Sequence, residues 1–174
     1  MFDFEALGEL MHNVDRFNSP EYIRVVDPKP SEKECVISSD ARQVIRAAGV
    51  RCYPMEACGL LIGSMKDGGW MIREAREIRN VNTERAADRF QLDPAEFQAV
   101  DRELRKKGRD IIGIFHSHPD CPARPSPTDL ANAWESYAYI IISILEGRAE
   151  DLKCWTLNDA GNKFQAVLLQ ERPS

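Results

Sequence analysis

Two of the three histidines in the chain stand one residue apart, in Gly113-Ile114-Phe115-His116-Ser117-His118-Pro119. The apolar run before them reads as a strand. A strand turns alternate side chains to one side, so His116 and His118 face the same way and two imidazoles can meet at one ion. After positions 119 to 128 comes Asp129. Two imidazoles and one carboxylate make the donor set of a catalytic zinc site, which keeps its fourth position for water. Asp129 has a second reading. In Ser126-Pro127-Thr128-Asp129, Ser126 suits a helix N-cap, Pro127 the first helical position and Asp129 the acidic third position of a capping box. The two readings are compatible, because a fixed helix start also fixes the carboxylate, and the histidine pair tips the balance towards metal. A zinc site needs a group to take the proton from water. The candidate is Glu56, in Pro54-Met55-Glu56-Ala57-Cys58-Gly59, where a helix gives way to a buried strand. By spacing alone, a glutamate at a helix end is equally an ordinary surface residue. Cys121 falls between the ligands and is left outside the site, because a fourth protein ligand would close the water position.

The elements that must hold these residues follow from periodicity and breakers. Cys35 to Ile37 is a short strand, and Ser39 opens a helix through Val44, Ile45 and Ala48 that must end by Pro54. Gly59 to Gly63 is a continuous apolar run of strand length. Asp67-Gly68-Gly69 signals a hairpin into a strand from Trp70 to Ile78. Phe90 to Leu92 reads as extended, and Pro94 opens a helix through Phe97, Val100 and Leu104 that Gly108 stops. Ile111 to Phe115 is the strand that leads into the histidines. The helix opened at Ser126 is expected to run to about Tyr137, placing Trp134 and Tyr137 on it. Strands at Tyr139 to Leu145, Leu152 to Leu157 and Phe164 to Leu169 complete the chain. The pattern is α/β or α+β, with a mixed central sheet flanked by helices. Residues 2–17 place Phe4, Leu7, Leu10, Met11 and Val14 at helical spacing. This is an amphipathic helix joined by a Pro-broken linker, so 1–33 reads as an appendage and 34–174 as the domain. Its apolar stripe packs on its own domain in the plainer reading, and it also gives a reason to look for a homodimer.

Composition narrows the function classes. At 174 residues the chain is one domain with room for a core, and 43% hydrophobic with 29% charged residues is ordinary for a globular protein. A net charge of −5 with no Lys/Arg stripe argues against nucleic acid as the partner. The run Arg102, Arg105, Lys106 and Lys107 reads as the solvated face of a helix. No stretch approaches the ~20 apolar residues of a membrane span. The first residues lack the basic and apolar regions of a secretory signal. Five cysteines with no CxxC pair suit free thiols and a cytoplasmic location.

Taken together, His116-Ser117-His118 with Asp129 and its preceding Pro125-Ser126 resembles the JAMM motif of the Mov34/MPN metallopeptidase family. Glu56 to Gly63 resembles that family's glutamate segment. Arg89-Phe90-Gln91-Leu92-Asp93-Pro94 resembles the segment before the middle helix of its compact bacterial members. The resemblance runs from about residue 34 to 170. It implies a deaminase-like mixed sheet between helices and a hydrolase that cuts peptide or isopeptide bonds. Carried onto this chain, it makes His116, His118 and Asp129 zinc ligands, Glu56 the general base and Ser126 the residue that stabilises the tetrahedral intermediate. Substrates of such enzymes often end in a flexible diglycine tail, so the implied partner is a ubiquitin-like or sulfur-carrier protein. An extended tail of that kind is expected to add alongside an exposed strand near the metal, with residues 80–93 as one wall. Competing classes are a non-catalytic MPN-type adaptor, against which Glu56 and both histidines speak, and a DNA-repair-associated JAMM-like protein, against which the acidic charge speaks. A nucleobase deaminase would need a Pro-Cys-x-x-Cys arm that the sequence lacks.

Overall fold

The computed structural model describes residues 15–174. The stripe residues Phe4, Leu7, Leu10, Met11 and Val14 lie outside them. In chain order the elements are α1 (Pro20–Ile23), β1 (Glu34–Ser38), α2 (Ser39–Cys52), β2 (Cys58–Lys66), β3 (Gly69–Ile78), α3 (Pro94–Lys106), β4 (Asp110–Pro119), α4 (Pro127–Ala131), β5 (Ala138–Leu145), β6 (Arg148–Leu157) and β7 (Phe164–Arg172). No helix among the described residues is long and apolar enough to cross a membrane.

Local chemistry starts and stops these elements where the sequence places the signals. Ser38 caps α2 by accepting a hydrogen bond from Ala41 N at 3.1 Å. Ala41, Ile45 and Ala48 then fall on one helical face and are buried. Asp67 and Gly68 both take positive φ, 52° and 80°, the turn whose twist suits the hairpin between β2 and β3. Asp93 caps α3 through Ala95 N and Glu96 N, with Pro94 in the first turn.

The strands form a mixed sheet in the order β1-β3-β2-β4-β5-β6-β7, and β7 pairs in parallel with β1 to close it into a barrel. The mixed α+β character agrees with the sequence. Closure goes beyond the expected central sheet flanked by helices. The cause is a parallel pairing of Glu34–Ser38 with Leu168–Arg172, a contact between distant segments that no local pattern reports. Both faces of the wall are covered. One packs on α2 through Ile37, Leu61, Phe115, Ile140 and Ile142. The other packs on α3 and the stretch around Val25 through Leu60, Ile62, Ile114, Tyr139 and Ile141. β5 thus sends alternate apolar residues to both sides, as strands covered on both faces do. Each fully buried Leu, Ile or Phe contributes roughly 1.5–3 kcal/mol.

Residues 25–31 run beside β7. Val26 bridges Phe164, Asp27 N donates to Phe164 O at 2.8 Å and Ser31 N to Ala166 O at 2.9 Å. Phe90 to Leu92 joins no named strand, and Leu92 bridges Asn80. One further expectation is corrected. The helix at Ser126 ends at Ala131 instead of near Tyr137. Asn132 Nδ2 takes Thr128 O at 2.8 Å, Ser136 adopts a φ of 66°, and Trp134 N turns to the Tyr139 hydroxyl at 2.5 Å. Trp134 and Tyr137 therefore stand in the connection to β5.

Candidate active site

The site sits at the C-terminal end of β4, on the face that packs on α3. Along this strand Ile114, His116 and His118 share that face, while Phe115 turns to the α2 side. β4 is held on one side by antiparallel β2, with His116 opposite Cys58, and on the other by parallel β5, with His116 opposite Ile141 and His118 opposite Ser143. β2 accommodates Phe115 because Gly59 has no Cβ; one there would lie 2.3 Å from Phe115 Cε1. Both imidazoles are buried, His116 at 1% and His118 at 4% exposure.

The third donor arrives on the first turn of α4. The capping box expected from Ser126 and Asp129 is present in full. Asp129 N donates to Ser126 Oγ at 3.1 Å, and Ser126 N donates to Asp129 Oδ2 at 2.6 Å. The result is a carboxylate aimed at both histidines. His116 Nε2 lies 3.4 Å from Asp129 Oδ1, His118 Nε2 lies 3.8 Å from Oδ2, and the two Nε2 atoms are 3.0 Å apart. All the candidate ligand atoms fall within 4.8 Å of one another.

This donor set fits a zinc ion on its own chemistry. His118 Nδ1 lies 2.9 Å from the Pro122 carbonyl, which can only accept, so that nitrogen carries the proton and Nε2 presents a lone pair. The His116 ring is fixed by stacking, with Phe90 at 4.6 Å and 25° between planes. Its Nδ1 is buried and has no hydrogen-bond partner among the described residues. Two nitrogens at 3.0 Å cannot both point protons at each other. Burial, reinforced by the neighbouring His116, pushes His118 down to about 4 and keeps it neutral. Burial also opposes a charge on His116, but Asp129 and then Glu56 outweigh it and raise its pKa. Burial likewise works against the Asp129 charge. Both histidines and the Ser126 N–H overcome it and hold the carboxyl well below the usual range. Cys121 stays outside the group of converging atoms; its Sγ takes a hydrogen bond from Arg16 Nη2 at 3.4 Å.

Glu56 stands just before β2, 6% exposed. Three backbone contacts hold it beside the histidine strand. Ala57 N donates to Ser117 Oγ at 2.8 Å, Glu56 N to Ala86 O at 2.7 Å, and Asn80 Nδ2 to Glu56 O at 3.1 Å. Burial pushes its carboxyl up to about 8; His116 opposes this, and Asp129 and Asp88 add to it. A carboxyl so shifted exchanges a proton near neutral pH, as a general base and acid must.

The cleft over these residues has a volume of about 460 Å³. The loop expected as a wall, 80–93, contributes Asn82, Asp88, Arg89 and Phe90 to its lining, and Trp134 also lines it. Sequence reasoning missed Arg16 and Phe17, which line the cleft, and Asn80, whose amide pins Glu56 and Arg89 together. Periodicity carried no signal for Arg16 or Asn80. Strand alternation does foretell Ser117, which must face away from the two histidines. Near the site β4 pairs with β2 as far as His116 and with β5 as far as Pro119, while β3 pairs with β1 only over Trp70–Ile72.

The fold and site define a compact α+β domain with a His-His-Asp cluster and a buried glutamate at one end of a closed sheet. The family model for prokaryotic homologs of the JAB domain matches residues 38–158, and the chain belongs to this JAMM/MPN family. A desampylase of Haloferax volcanii is 34% identical over 113 residues, 62% of this chain and 78% of that protein. A CysO-cysteine peptidase of Mycobacterium tuberculosis is 31% identical over 138 residues, 79% of this chain and 92% of that one. Among solved structures, a protein from Desulfitobacterium hafniense superposes with a TM-score of 0.69 at 25% identity, covering 80% of this chain and 94% of its own. One from Salinibacter ruber gives 0.59 at 30% identity, covering 78% and 91%.

Proposed function

We propose that the protein is a zinc-dependent peptidase that cuts after the C-terminal diglycine of a ubiquitin-like or sulfur-carrier protein. The observation that carries this reading is the meeting of two imidazole Nε2 atoms and one carboxylate beside a buried Glu56. Relatives named desampylase and CysO-cysteine peptidase support the class of substrate.

His116, His118 and Asp129 would hold a zinc ion, which when bound would supply Lewis acidity for a carbonyl and for water at neutral pH. Glu56 accepts the proton from the attacking water and passes it to the leaving nitrogen. Its burial matters for the second half of that task, because a carboxyl with a raised pKa holds the proton long enough to deliver it. Ser126 faces the same space. Its hydroxyl hydrogen is engaged with Asp129 Oδ2 at 2.7 Å instead of being free, because that carboxylate is the strongest acceptor in reach. To stabilise the oxyanion the hydroxyl rotates away from Asp129, while the Ser126 backbone N–H keeps the carboxylate in place. Phe90 and Trp134 give the tail of the substrate an apolar passage in which glycines fit most easily.

The test is zinc analysis of the purified protein, followed by cleavage of diglycine-ended carrier fusions with and without chelator. Glu56→Gln should keep its zinc and lose most activity. Native-rate cleavage by that variant would remove Glu56 from the mechanism, and cleavage unaffected by chelator would remove the metal.

A further inference from the structure

Among the described residues, three guanidinium groups meet one carboxylate beside the cleft. Asp88 Oδ2 lies 3.8 Å from Arg16 Nη1 and 3.5 Å from Arg89 Nη1, and Arg85 closes on the same oxygen through Nη2. Among the described residues one negative charge thus answers three positive ones, in a chain whose net charge is −5. The surplus is no solvated face. The side chains of Asp88, Arg89 and Arg16 are 23%, 24% and 31% exposed, and all three line the cleft. Arg85, at 58%, is the outer member.

The cluster has a fixed position relative to the base. Glu56 N donates to Ala86 O, and the Asn80 amide donates to Glu56 O and to Arg89 O, each at 3.1 Å. The segment that carries Asp88 and Arg89 is therefore fastened to the backbone of Glu56. Arg16 reaches the same Asp88 from the N-terminal side. Next to it, Phe17 is 3% exposed, with its ring 5.9 Å from that of His118 and 4.7 Å from that of Tyr22. Trp134, which also lines the cleft, is 50% exposed.

We propose that Arg16 and Arg89 bind the free α-carboxylate of the leaving amino acid, so that the enzyme releases a single amino acid joined to the carrier tail. This rests on the peptidase reading given above. In that reading Glu56 delivers its proton to the leaving nitrogen, so the leaving group lies on the Glu56 side. Its α-carboxylate is two bonds from that nitrogen, within the reach of guanidinium groups anchored beside Glu56. Arginine pairs with carboxylate as a planar fork, and two forks from separate chain segments fix its place. A lysine side chain from a folded partner presents no carboxylate there, and the protein attached to it meets Phe17 and the 86–89 segment. The reaction balances as a hydrolysis. The amide C–N bond breaks, water gives hydroxyl to the acyl carbon and a proton to the nitrogen, and the products are a carrier carboxylate and a free amino acid. No electrons change hands.

Three peptides test this with the zinc-loaded protein: one ending Gly-Gly-Ala as the free acid, the same peptide as its carboxamide, and Gly-Gly joined to the Nε of acetyl-lysine amide. The free acid should exceed the other two in kcat/KM by ~10-fold or more, the scale of a lost charge-assisted contact. Arg89→Gln and Arg16→Gln should each pull the acid-to-amide ratio towards one. In calorimetry with the Glu56→Gln protein, the free acid should bind ~10-fold tighter than the carboxamide. Equal cleavage of all three peptides, preference for the lysine adduct, or an acid-to-amide ratio unmoved in both arginine variants overturns the carboxylate site and leaves the peptidase reading standing. Cleavage of none overturns that reading, and this inference with it.

Discussion

The two faces of β4 carry unlike loads on alternate residues. Towards α2 the strand gives Phe115, fully buried over the bare Gly59 and surrounded by Leu61, Ile140 and Ile142. Towards α3 it gives His116 and His118, equally buried but ringed by a carboxylate, a carbonyl and an aromatic face. The difference teaches how a barrel wall can be rigid and reactive at one point. The apolar side fixes the backbone, and the polar side borrows that rigidity to hold three donor atoms at short range, against the cost of burying them.

The comparison can be broken by crossing the faces. The largest effect is expected on the reactive face: His118→Ala or Asp129→Ala should reduce zinc to background in elemental analysis and hydrolysis to the uncatalysed rate, while the protein stays folded by circular dichroism. On the apolar face, Phe115→Ala should cost ~3–5 kcal/mol in urea unfolding, yet leave the zinc content of the folded fraction unchanged. Loss of metal there would mean that the two faces are not separable. Ser126→Ala should keep zinc and lower kcat by about 10²-fold, the scale of one oxyanion donor. A smaller effect sharpens the picture of Glu56. Its folded pKa of about 8 stands above the ordinary 4.5, so the fold favours the protonated form. Its contribution to stability is full below 4.5 and is lost as pH rises through 8. In chelator, Glu56→Gln should therefore match the wild type near pH 4.5 and exceed it by about 2 kcal/mol at pH 8, part of the full linkage being returned by relaxation. Equal urea midpoints at both pH values would show that Glu56 is not held protonated.

Much of this site was legible before the fold was known, because its members are local. Alternation put His116 and His118 on one face, and the capping box fixed Asp129 within one helical turn of Ser126. What the sequence concealed was non-local or misleading. Leu130, Ala133, Trp134 and Tyr137 repeat at helical spacing, yet the chain leaves the helix at Asn132, and the Tyr139 hydroxyl takes both Trp134 N and O. Apolar spacing records which residues seek cover, and here Leu130, with Ala133 and Tyr137 beyond the helix end, finds it against the α3-side core, while Trp134 lines the cleft. Closure of the sheet depends on β1 meeting β7, and the role of Arg16 on a chain segment crossing to Asp88. Neither leaves a trace in any short window of residues.

Ser117, between the two histidines, faces the other way and makes a reciprocal pair with Ala57: its Oγ accepts from Ala57 N at 2.8 Å, and its own N donates to Ala57 O at 2.9 Å. That clasp works like a dowel joining two machined parts. For anyone redesigning the cleft, position 117 should stay serine, since this clasp ties the strand that carries His116 and His118 to the segment that carries Glu56.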